Sequence, residues 1–270
     1  MGWNTNRPRI NRSAAPASPG RIGGVTPALL LAHGAGGTVR ANFSPVIPLL
    51  SRKRKVHAVD FPGSGATPRA TAPLELDDLA DRLVAAADGE ERFAVVGYSM
   101  GCAVALRVAR RYPERVTALV LTAGFARLDD ETAGRMRRWR ELLDGDRAAL
   151  ARYLMSTALG EPYLRRMTAE QTDGFLELIA LTVPPGSPEQ VDLVLRVDLR
   201  DELPSVTVPT LVVGAKHDRL IAPGTTRELA DLIPGARWAE LDSGHSPAAE
   251  APAEWVRLIE EFLDTADARG

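Results

Sequence analysis

Short apolar runs alternate with longer amphipathic stretches along most of this chain, and that alternation limits the possible folds more than any other feature. The apolar runs are 28–32, 55–60, 93–97, 116–122, 209–214 and 237–241. Helical spacing of apolar residues occurs between or after them at 74–87, 101–111 and 252–263. Continuous apolar strands separated by helices are typical of a parallel sheet covered on both faces. The sequence therefore predicts an α/β fold with a mostly parallel, doubly wound sheet.

One long segment, residues 126–201, interrupts this alternation. It contains no convincing strand, whereas helical periodicity occurs at 129–143, 146–159 and 168–181. A helical insertion after a strand is the usual form of a cap over the end of a sheet. We therefore predict a core of residues 27–125 and 202–265 and a helical cap of residues 126–201. Residues 1–26, which lack any hydrophobic period, are expected to form a flexible arm, and residues 265–270 a frayed tail.

Composition and charge disfavour several classes of protein. The chain has 270 residues, a net charge of −2 and one cysteine, so an intramolecular disulfide is impossible and a cysteine zinc site is disfavoured. The charge gives no field that would attract nucleic acid. No apolar run approaches the roughly 20 residues that span a bilayer. The arm lacks the apolar core of a secretory signal, so we expect a cytoplasmic protein that binds neither nucleic acid nor membrane.

The strongest chemical signal is a glycine-rich turn, Gly97-Tyr98-Ser99-Met100-Gly101, placed between an apolar strand and a helix. A turn this tight forces its central residue into a strained conformation, and the flanking glycines leave room for it. The serine hydroxyl then projects at the helix N-terminus, which favours developing negative charge. In this context Ser99 is predicted to be a catalytic nucleophile, although the same pentapeptide elsewhere would be only a glycine-rich turn.

A nucleophilic serine needs a base, and the base needs an acid that orients it. His245 follows the last predicted strand, at the same carboxyl edge of the sheet as Ser99. Asp218 lies in the loop after the preceding strand and is predicted to orient His245. The order Ser99, Asp218, His245 is the one expected of this architecture. Asp242 is a weaker candidate for the acid, because it is too close in sequence to His245. His33 and His217 are the alternative bases. His57 is interpreted as an edge-strand residue.

A loop of small residues, HGAGG at residues 33–37, follows the first predicted strand. Small residues let backbone N–H groups approach a substrate oxygen, so this loop is a candidate part of an oxyanion hole. We expect one donor to be the N–H of Met100 and the other that of Ala35, with Gly36 as the alternative. A phosphate-binding loop is not supported, because neither G-x-x-x-x-G-K-[ST] nor G-x-G-x-x-G occurs in the chain.

Five motifs in this order resemble those of the α/β-hydrolase family. They are HGAGG at His33, DFPGSG at Asp60, GYSMG around Ser99, VGAKHD at Val213 and DSGHS at Asp242. The resemblance covers nearly everything from residue 28 to residue 263. It implies the α/β-hydrolase fold, with the insertion after Phe125 in the family's usual cap position. Within the family, the chain most resembles small bacterial esterases and lactonases of the 3-oxoadipate enol-lactonase type.

Three features depart from the family's pattern. The family usually has a β-hairpin before the first His-Gly strand, whereas residues 7–26 have little strand character, so one or two strands are expected to be missing or irregular. Ser64 stands where histidine is common. Cys102 replaces a frequent glycine and is interpreted as a small, packed hydrophobic residue.

A serine nucleophile favours acyl transfer, whereas epoxide hydrolases and haloalkane dehalogenases of this fold carry an aspartate at the Ser99 position. We predict a serine hydrolase that cleaves a small carboxylic ester, lactone or thioester through an acyl-enzyme intermediate, without a cofactor or metal. The alternatives are a thioesterase of a biosynthetic pathway, a cofactor-free perhydrolase or carbon–carbon hydrolase, and a non-catalytic small-molecule receptor on the same fold. The sequence leaves the substrate and the oligomeric state open.

The cap is expected to determine which substrates bind. Phe125, Trp139 and Phe175 are the predicted substrate-binding residues, because they supply large apolar surface in or beside the cap. The competing interpretation is that such residues only pack one cap helix against another. The arginines of residues 135–140 are interpreted as a solvated helix face, because acidic residues are interspersed with them.

Overall fold

A computed structural model describes residues 26–268, and the predicted arm and any hairpin before the first strand therefore lie outside the described residues, except for Thr26. Within residues 26–268, six strands form one sheet in which every neighbouring pair is parallel. The strands are β1 (Ala28–Ala32), β2 (Val56–Ala58), β3 (Phe93–Tyr98), β4 (Val116–Thr122), β5 (Thr210–Ala215) and β6 (Arg237–Leu241). Their order across the sheet is β2-β1-β3-β4-β5-β6. The predicted α/β fold is confirmed.

Helices connect these strands and cover the sheet. Those before β4 are α1 (Val39–Phe43), α2 (Ile47–Leu50), α3 (Leu76–Ala85) and α4 (Met100–Arg111). Those between β4 and β5 are α5 (Asp130–Leu143), α6 (Arg147–Ala158), α7 (Glu161–Leu164), α8 (Ala169–Thr182) and α9 (Ser187–Arg196). Those after β5 are α10 (Pro223–Leu232), α11 (Pro247–Glu250) and α12 (Pro252–Asp267).

The segment from α5 to α9, called the helical insertion below, contains the three predicted helices and two that the sequence analysis did not predict. The unpredicted helices α7 and α9 each carry a proline in the first turn, where a missing N–H costs no helical hydrogen bond. In both helices the N-cap is a glycine, so glycine and proline together mark the start of the helix. An isolated antiparallel bridge between Arg127 and Asp198 joins the two ends of the insertion.

Alternate residues of each central strand enter two separate hydrophobic clusters, one on each face of the sheet. Leu30 of β1 packs in a cluster with buried residues of α3 and α4. Leu29 and Leu31 pack in the other cluster, with Phe43 of α1 and Trp255 of α12. Because both faces of the strands are covered, their sequences are continuously apolar.

The sheet reverses its winding direction between β1 and β3. From β1 the chain passes to β2 on one side, and it then crosses to β3 on the other side. Loops that leave such a point in opposite directions form a crevice beyond the carboxyl ends of the strands. The loop after β1 is residues 33–37, and the turn after β3 contains Ser99. The topology thus brings these two motifs to one crevice.

The prediction of a frayed tail from residue 265 is wrong for the described residues, because α12 continues to Asp267. The side chain of Arg54 is only 2% exposed, and its Nη2 lies 2.6 Å from Asp267 Oδ2 and 3.4 Å from Asp264 Oδ1. A buried guanidinium needs carboxylate partners. These two carboxylates are three residues apart, so a helical backbone presents both to Arg54.

We expect Asp267→Asn to lower the free energy of unfolding by about 2 kcal/mol, because it weakens the shortest ion pair of a buried guanidinium. In a chain of this size that corresponds to a fall in Tm of about 4–8 °C, measurable by calorimetry. Asp231→Asn is the matched control, because Asp231 pairs with Arg227 on the surface, where both side chains are more than half exposed. An equal fall in Tm for both variants would show that the ion pair between Asp267 and the buried Arg54 contributes no more to stability than a surface pair.

Candidate active site

The turn at Ser99 is a strained connection between β3 and α4. Ser99 has φ 54° and ψ −122°, a region that L-residues rarely occupy. A Cβ at Gly101 would lie 2.0 Å from the carbonyl oxygen of Ala32, and one at Gly97 would lie 2.6 Å from that of Gly101. Glycine is therefore required on both sides of the turn, which explains the G-x-S-x-G spacing.

Three residues that are distant in sequence form a continuous hydrogen-bonded chain. Ser99 Oγ lies 3.0 Å from His245 Nε2, and His245 Nδ1 lies 2.7 Å from Asp218 Oδ2. The side chains of His245 and Asp218 are 4% and 1% exposed. The structure thus brings together Ser99, His245 and Asp218 at the carboxyl edge of the sheet, in the geometry of a nucleophile, a base and an orienting acid.

Backbone groups and a tyrosine hold His245 and Asp218 in place. Asp218 Oδ1 accepts hydrogen bonds from the N–H groups of Leu220 and Ile221, both at 2.9 Å. The hydroxyl of Tyr98 donates to the backbone carbonyl of His245 at 2.7 Å. Burial raises the pKa of Tyr98, so its hydroxyl stays protonated and remains a donor.

The loop of residues 33–37 lies directly against the serine. A Cβ at Gly34 would be 3.1 Å from Ser99 Cβ. Among the described residues, no hydrogen bond is made by the N–H of Ala35 or by the N–H of Met100, whereas that of Gly36 donates to Gln190 Oε1 at 2.8 Å. The two predicted donors therefore have no partner among the described residues, whereas the alternative donor, Gly36, is already hydrogen-bonded.

Residues 27–252 match the family model of the alpha/beta hydrolase fold. The chain belongs to the α/β-hydrolase family. This hydrolase is 32% identical over 253 residues to the pyrrolizixenacetamide deacetylase of Xenorhabdus hominickii, covering 91% of this chain and 94% of the relative. It is 30% identical to the pimeloyl-(acyl-carrier protein) methyl ester esterase of Aeromonas hydrophila, covering 89% and 96%.

Comparison of structures agrees with the sequence relatives. The enol-lactonase of Burkholderia xenovorans LB400 superposes with a TM-score of 0.76 and 25% identity, covering 91% of this hydrolase and 94% of the lactonase. The resemblance to esterases and lactonases predicted from the five motifs is confirmed, and the protein is a hydrolase of that type.

The other candidate acids and bases of this hydrolase have different partners. Asp242 Oδ1 lies 2.8 Å from His217 Nε2, on the surface. His57 lies on the edge strand β2, as interpreted from the sequence, and its Nε2 is 3.1 Å from a carboxylate oxygen of Glu90. His33 is fully buried below the loop that it begins.

Of the three predicted substrate-binding residues, the structure brings one to the loop beside Ser99. A Cβ at Gly36 would lie 2.4 Å from Trp139 Cζ2, so the indole ring of Trp139 packs directly on that loop. The indole Nε1 is buried and has no hydrogen-bond partner among the described residues. Phe125 is 1% exposed and Trp139 4% exposed, and both belong to the same hydrophobic core cluster. Phe175 lines a cavity of about 380 Å³ whose other lining residues are Tyr163, Arg166, Met167 and Gln171.

Two departures noted in the sequence have a clear structural role. Cys102 is buried, its thiol contacts the carbonyl oxygens of Gly97 and Thr122, and burial raises its pKa, so it is the packed residue that was predicted. Ser64 Oγ donates to the carbonyl of Gly37 at 2.7 Å.

The arginines of α5 pair with acidic neighbours on an exposed face, also as predicted; these pairs are Arg135–Glu131, Arg138–Glu141 and Arg140–Asp144.

The sequence analysis missed two polar residues that contact the site's loops, the half-buried Glu250 and the fully buried Gln190. Glu250 Oε2 accepts from the N–H of Gly244, next to His245, at 2.8 Å, and from the N–H of Gly160, at the start of α7, at 3.1 Å. Burial raises the pKa of Glu250. Gln190 of α9 is bonded to Gly36, as described above. Both lie in ordinary helical sequence, and no local pattern distinguishes them from solvated residues.

Two further features of residues 26–268 concern metals and membranes. No group of three or more His, Cys, Asp or Glu side chains in this part of the chain is arranged to hold a metal ion. None of its helices is long and apolar enough to cross a bilayer.

His33 makes the stability of this hydrolase depend on pH. Gly34 O can only accept, so His33 Nδ1 carries the proton that bonds it at 2.8 Å, and Nε2 accepts from the N–H of Phe61 at 2.9 Å. Nε2 can accept this bond only in the neutral ring, and burial lowers the pKa of His33 from 6.5 to about 4. Between these values the unfolded chain binds a proton that the native protein does not. Stability is therefore lost as the pH falls from 6.5 to about 4.

We expect this effect to reach about 3 kcal/mol at the acid end of the range. His33→Gln keeps an acceptor for the N–H of Phe61 but has no proton to gain. Chemical denaturation of both proteins at several pH values should show the wild type losing stability relative to the variant as the pH falls. Parallel stability curves would show that His33 does not resist protonation in the native state.

Proposed function

We propose that this protein is a serine hydrolase that cleaves a small carboxylic ester, lactone or thioester through an acyl-enzyme intermediate. The observation that carries the proposal is the continuous chain of hydrogen bonds from Ser99 Oγ through His245 to Asp218. Such a chain lets a weak nucleophile lose its proton as it attacks.

In the proposed mechanism, His245 Nε2 accepts the Ser99 hydroxyl proton while Oγ bonds to the substrate's carbonyl carbon. Asp218 stabilises the imidazolium and keeps Nδ1–H directed at itself. The N–H groups of Ala35 and Met100 donate to the carbonyl oxygen as it becomes negatively charged. His245 Nε2–H then protonates the leaving group, and the acyl group stays on Ser99. Water, deprotonated by His245 Nε2, then attacks the acyl carbon. The bond between Oγ and the acyl carbon breaks, Oγ takes the proton back from Nε2, and the acid is released from free Ser99.

The relatives support acyl transfer but differ in the group that leaves. Their names describe a deacetylase, a methyl ester esterase and an enol-lactonase. All three descriptions are compatible with attack on an acyl carbonyl. A side chain at Ser99 that is largely buried and a tryptophan packed on the adjacent loop favour an acyl group of modest size.

We expect Ser99→Ala to fold normally and to lower kcat for p-nitrophenyl acetate by about 10⁴-fold or more, because the nucleophile is lost. A fluorophosphonate probe should label the wild type at Ser99, as mapped by peptide mass spectrometry. His245→Ala and Asp218→Asn should also lower kcat by orders of magnitude.

Ser205→Ala is the control for these variants, because Ser205 is an exposed serine whose hydroxyl donates to Glu202 O and not to any residue of the triad. It should keep both labelling and turnover. Labelling at another residue, or turnover that survives in Ser99→Ala, would overturn the triad. Wild-type protein that is neither labelled nor active on esters, lactones and thioesters would favour the receptor alternative.

We also propose that the helical insertion is a cap that selects substrates, with Trp139 contacting the acyl group. Trp139→Ala should then change the ratio of kcat/KM for hexanoate and acetate esters by about 10-fold or more, because only the longer acyl chain reaches the missing surface. Phe175→Ala tests the other predicted cap residue, in the cavity it lines. A uniform loss on all esters, with a lower Tm, would mean that these residues only pack within the insertion.

A further inference from the structure

A buried glutamine of the helical insertion is bonded to two loops of the core. Gln190, on α9, is fully buried. Its Oε1 accepts from the N–H of Gly36 at 2.8 Å, and its Nε2 donates to Pro62 O at 3.1 Å and to Ser64 Oγ at 2.9 Å. The hydroxyl of Ser64 in turn donates to Gly37 O at 2.7 Å. One side chain therefore joins the insertion to both loops.

The hydrogen bonds of this network leave little freedom in its geometry. A primary amide has two N–H donors and one carbonyl, and here both donors and the carbonyl have partners. The Ser64 hydroxyl accepts from Gln190 and donates to Gly37, so it cannot rotate without losing a bond. Burying these groups without partners would be costly, so the amide has one favourable orientation.

The bonded loop carries a predicted oxyanion donor. Gly34, at its start, is held by Asn42 Oδ1, which accepts its N–H at 3.0 Å. Ala35 and Gly36 form its middle, and Gly36 has φ +66°, a conformation that glycine adopts and leaves at little cost. Among the described residues, the hydrogen bond from the N–H of Gly36 goes to Gln190. The turn is otherwise closed by the N–H of Gly37, which donates to Gly34 O at a longer distance, 3.3 Å. Without the bond to Gln190, the Ala35–Gly36 peptide could rotate and displace the preceding Gly34–Ala35 peptide, which carries the Ala35 N–H.

We propose that Gln190 is a positioning residue of the oxyanion hole: it holds Gly36 and thereby keeps the N–H of Ala35 directed at the substrate's carbonyl oxygen. This inference rests on the proposed serine-hydrolase function. It gives the insertion a second role, because one of its helices supports the stabilisation of the oxyanion as well as covering the site. It also gives Ser64 a role, as the residue that orients the Gln190 amide.

The first test is Gln190→Met, which keeps the length and volume of the side chain but removes the amide. We expect kcat for p-nitrophenyl acetate to fall by about 10- to 100-fold, because a displaced oxyanion donor stabilises the transition state less. KM should stay within about twofold, because the ground-state carbonyl depends less on this donor. The rate is expressed per active site titrated with the fluorophosphonate, so unfolded protein does not contribute.

Asp192→Ala is the matched control. Asp192 lies on the same helix, but its side chain is exposed and bonded to Arg140 within the insertion. It should leave kcat per active site unchanged. An equal loss of kcat in both variants would mean that α9 acts through the stability of the insertion, and it would overturn the specific role of Gln190.

The second test approaches the network from the core side. Ser64→Ala should lower kcat by less than Gln190→Met, and the double variant should be no worse than Gln190→Met alone, because both changes disrupt one network. Ser64→Ala also keeps the proposal testable if Gln190→Met does not fold. Additive losses, or no loss in Ser64→Ala, would contradict the network.

A third measurement separates the oxyanion loop from the histidine. A trifluoromethyl ketone should bind more weakly to Gln190→Met by about the factor lost in kcat/KM, because its hemiketal oxyanion uses the same donors. The pH dependence of kcat should not move, because His245 and Asp218 are held by other residues. A wild type that is labelled at Ser99 and active, with unchanged kcat per site in Gln190→Met, would overturn this inference alone. Absence of labelling in the wild type would overturn the proposed function itself.

Discussion

The contact between the backbone of Gly101 and the carbonyl of Ala32 is the constraint on which the site depends. The absence of a side chain at Gly101 lets the first turn of α4 rest on the end of β1. This contact holds the N-terminus of the helix beside the loop that follows β1. Met100 and Ala35, whose N–H groups are the proposed oxyanion donors, therefore lie beside the same crevice. A side chain at residue 101 would separate the two strand ends and with them the two donors.

Two loops border Ser99, the loop of residues 33–37 and the loop that contains His245. Each is held by a hydrogen bond to a side chain that also connects it to the helical insertion. On the loop side, Gln190 of α9 bonds the backbone of Gly36. On the histidine side, Glu250 accepts both from the residue before His245 and from Gly160 of the insertion. The insertion is thus anchored to both loops that border Ser99.

The parts of the site that could be predicted from the sequence are those with local signals. Ser99 lies in a motif whose flanking strand and helix can both be predicted from the sequence. Asp218 and His245 each follow a predicted strand, so the topology places all three residues at the carboxyl edge of the sheet. Gln190 could not be predicted in the same way, because its partner Gly36 is 154 residues away and the helix around it resembles any surface helix. The continuation of α12 to Asp267 depends on a buried arginine more than 200 residues earlier in the chain. Among Phe125, Trp139 and Phe175, apolar character alone did not show that only Trp139 packs on the loop beside Ser99.

The Gln190–Gly36 bond limits how freely the two parts of this enzyme can be exchanged. If caps were independent modules, a chimera carrying a relative's insertion would acquire new selectivity and keep its catalytic rate. Here the transplanted segment must also supply an amide of the right length opposite residue 36, and the recipient core must supply a hydroxyl at residue 64. If the insertion selects substrates as proposed, divergence of specificity would be coupled to the chemistry of the core. The two positions are expected to change together or not at all.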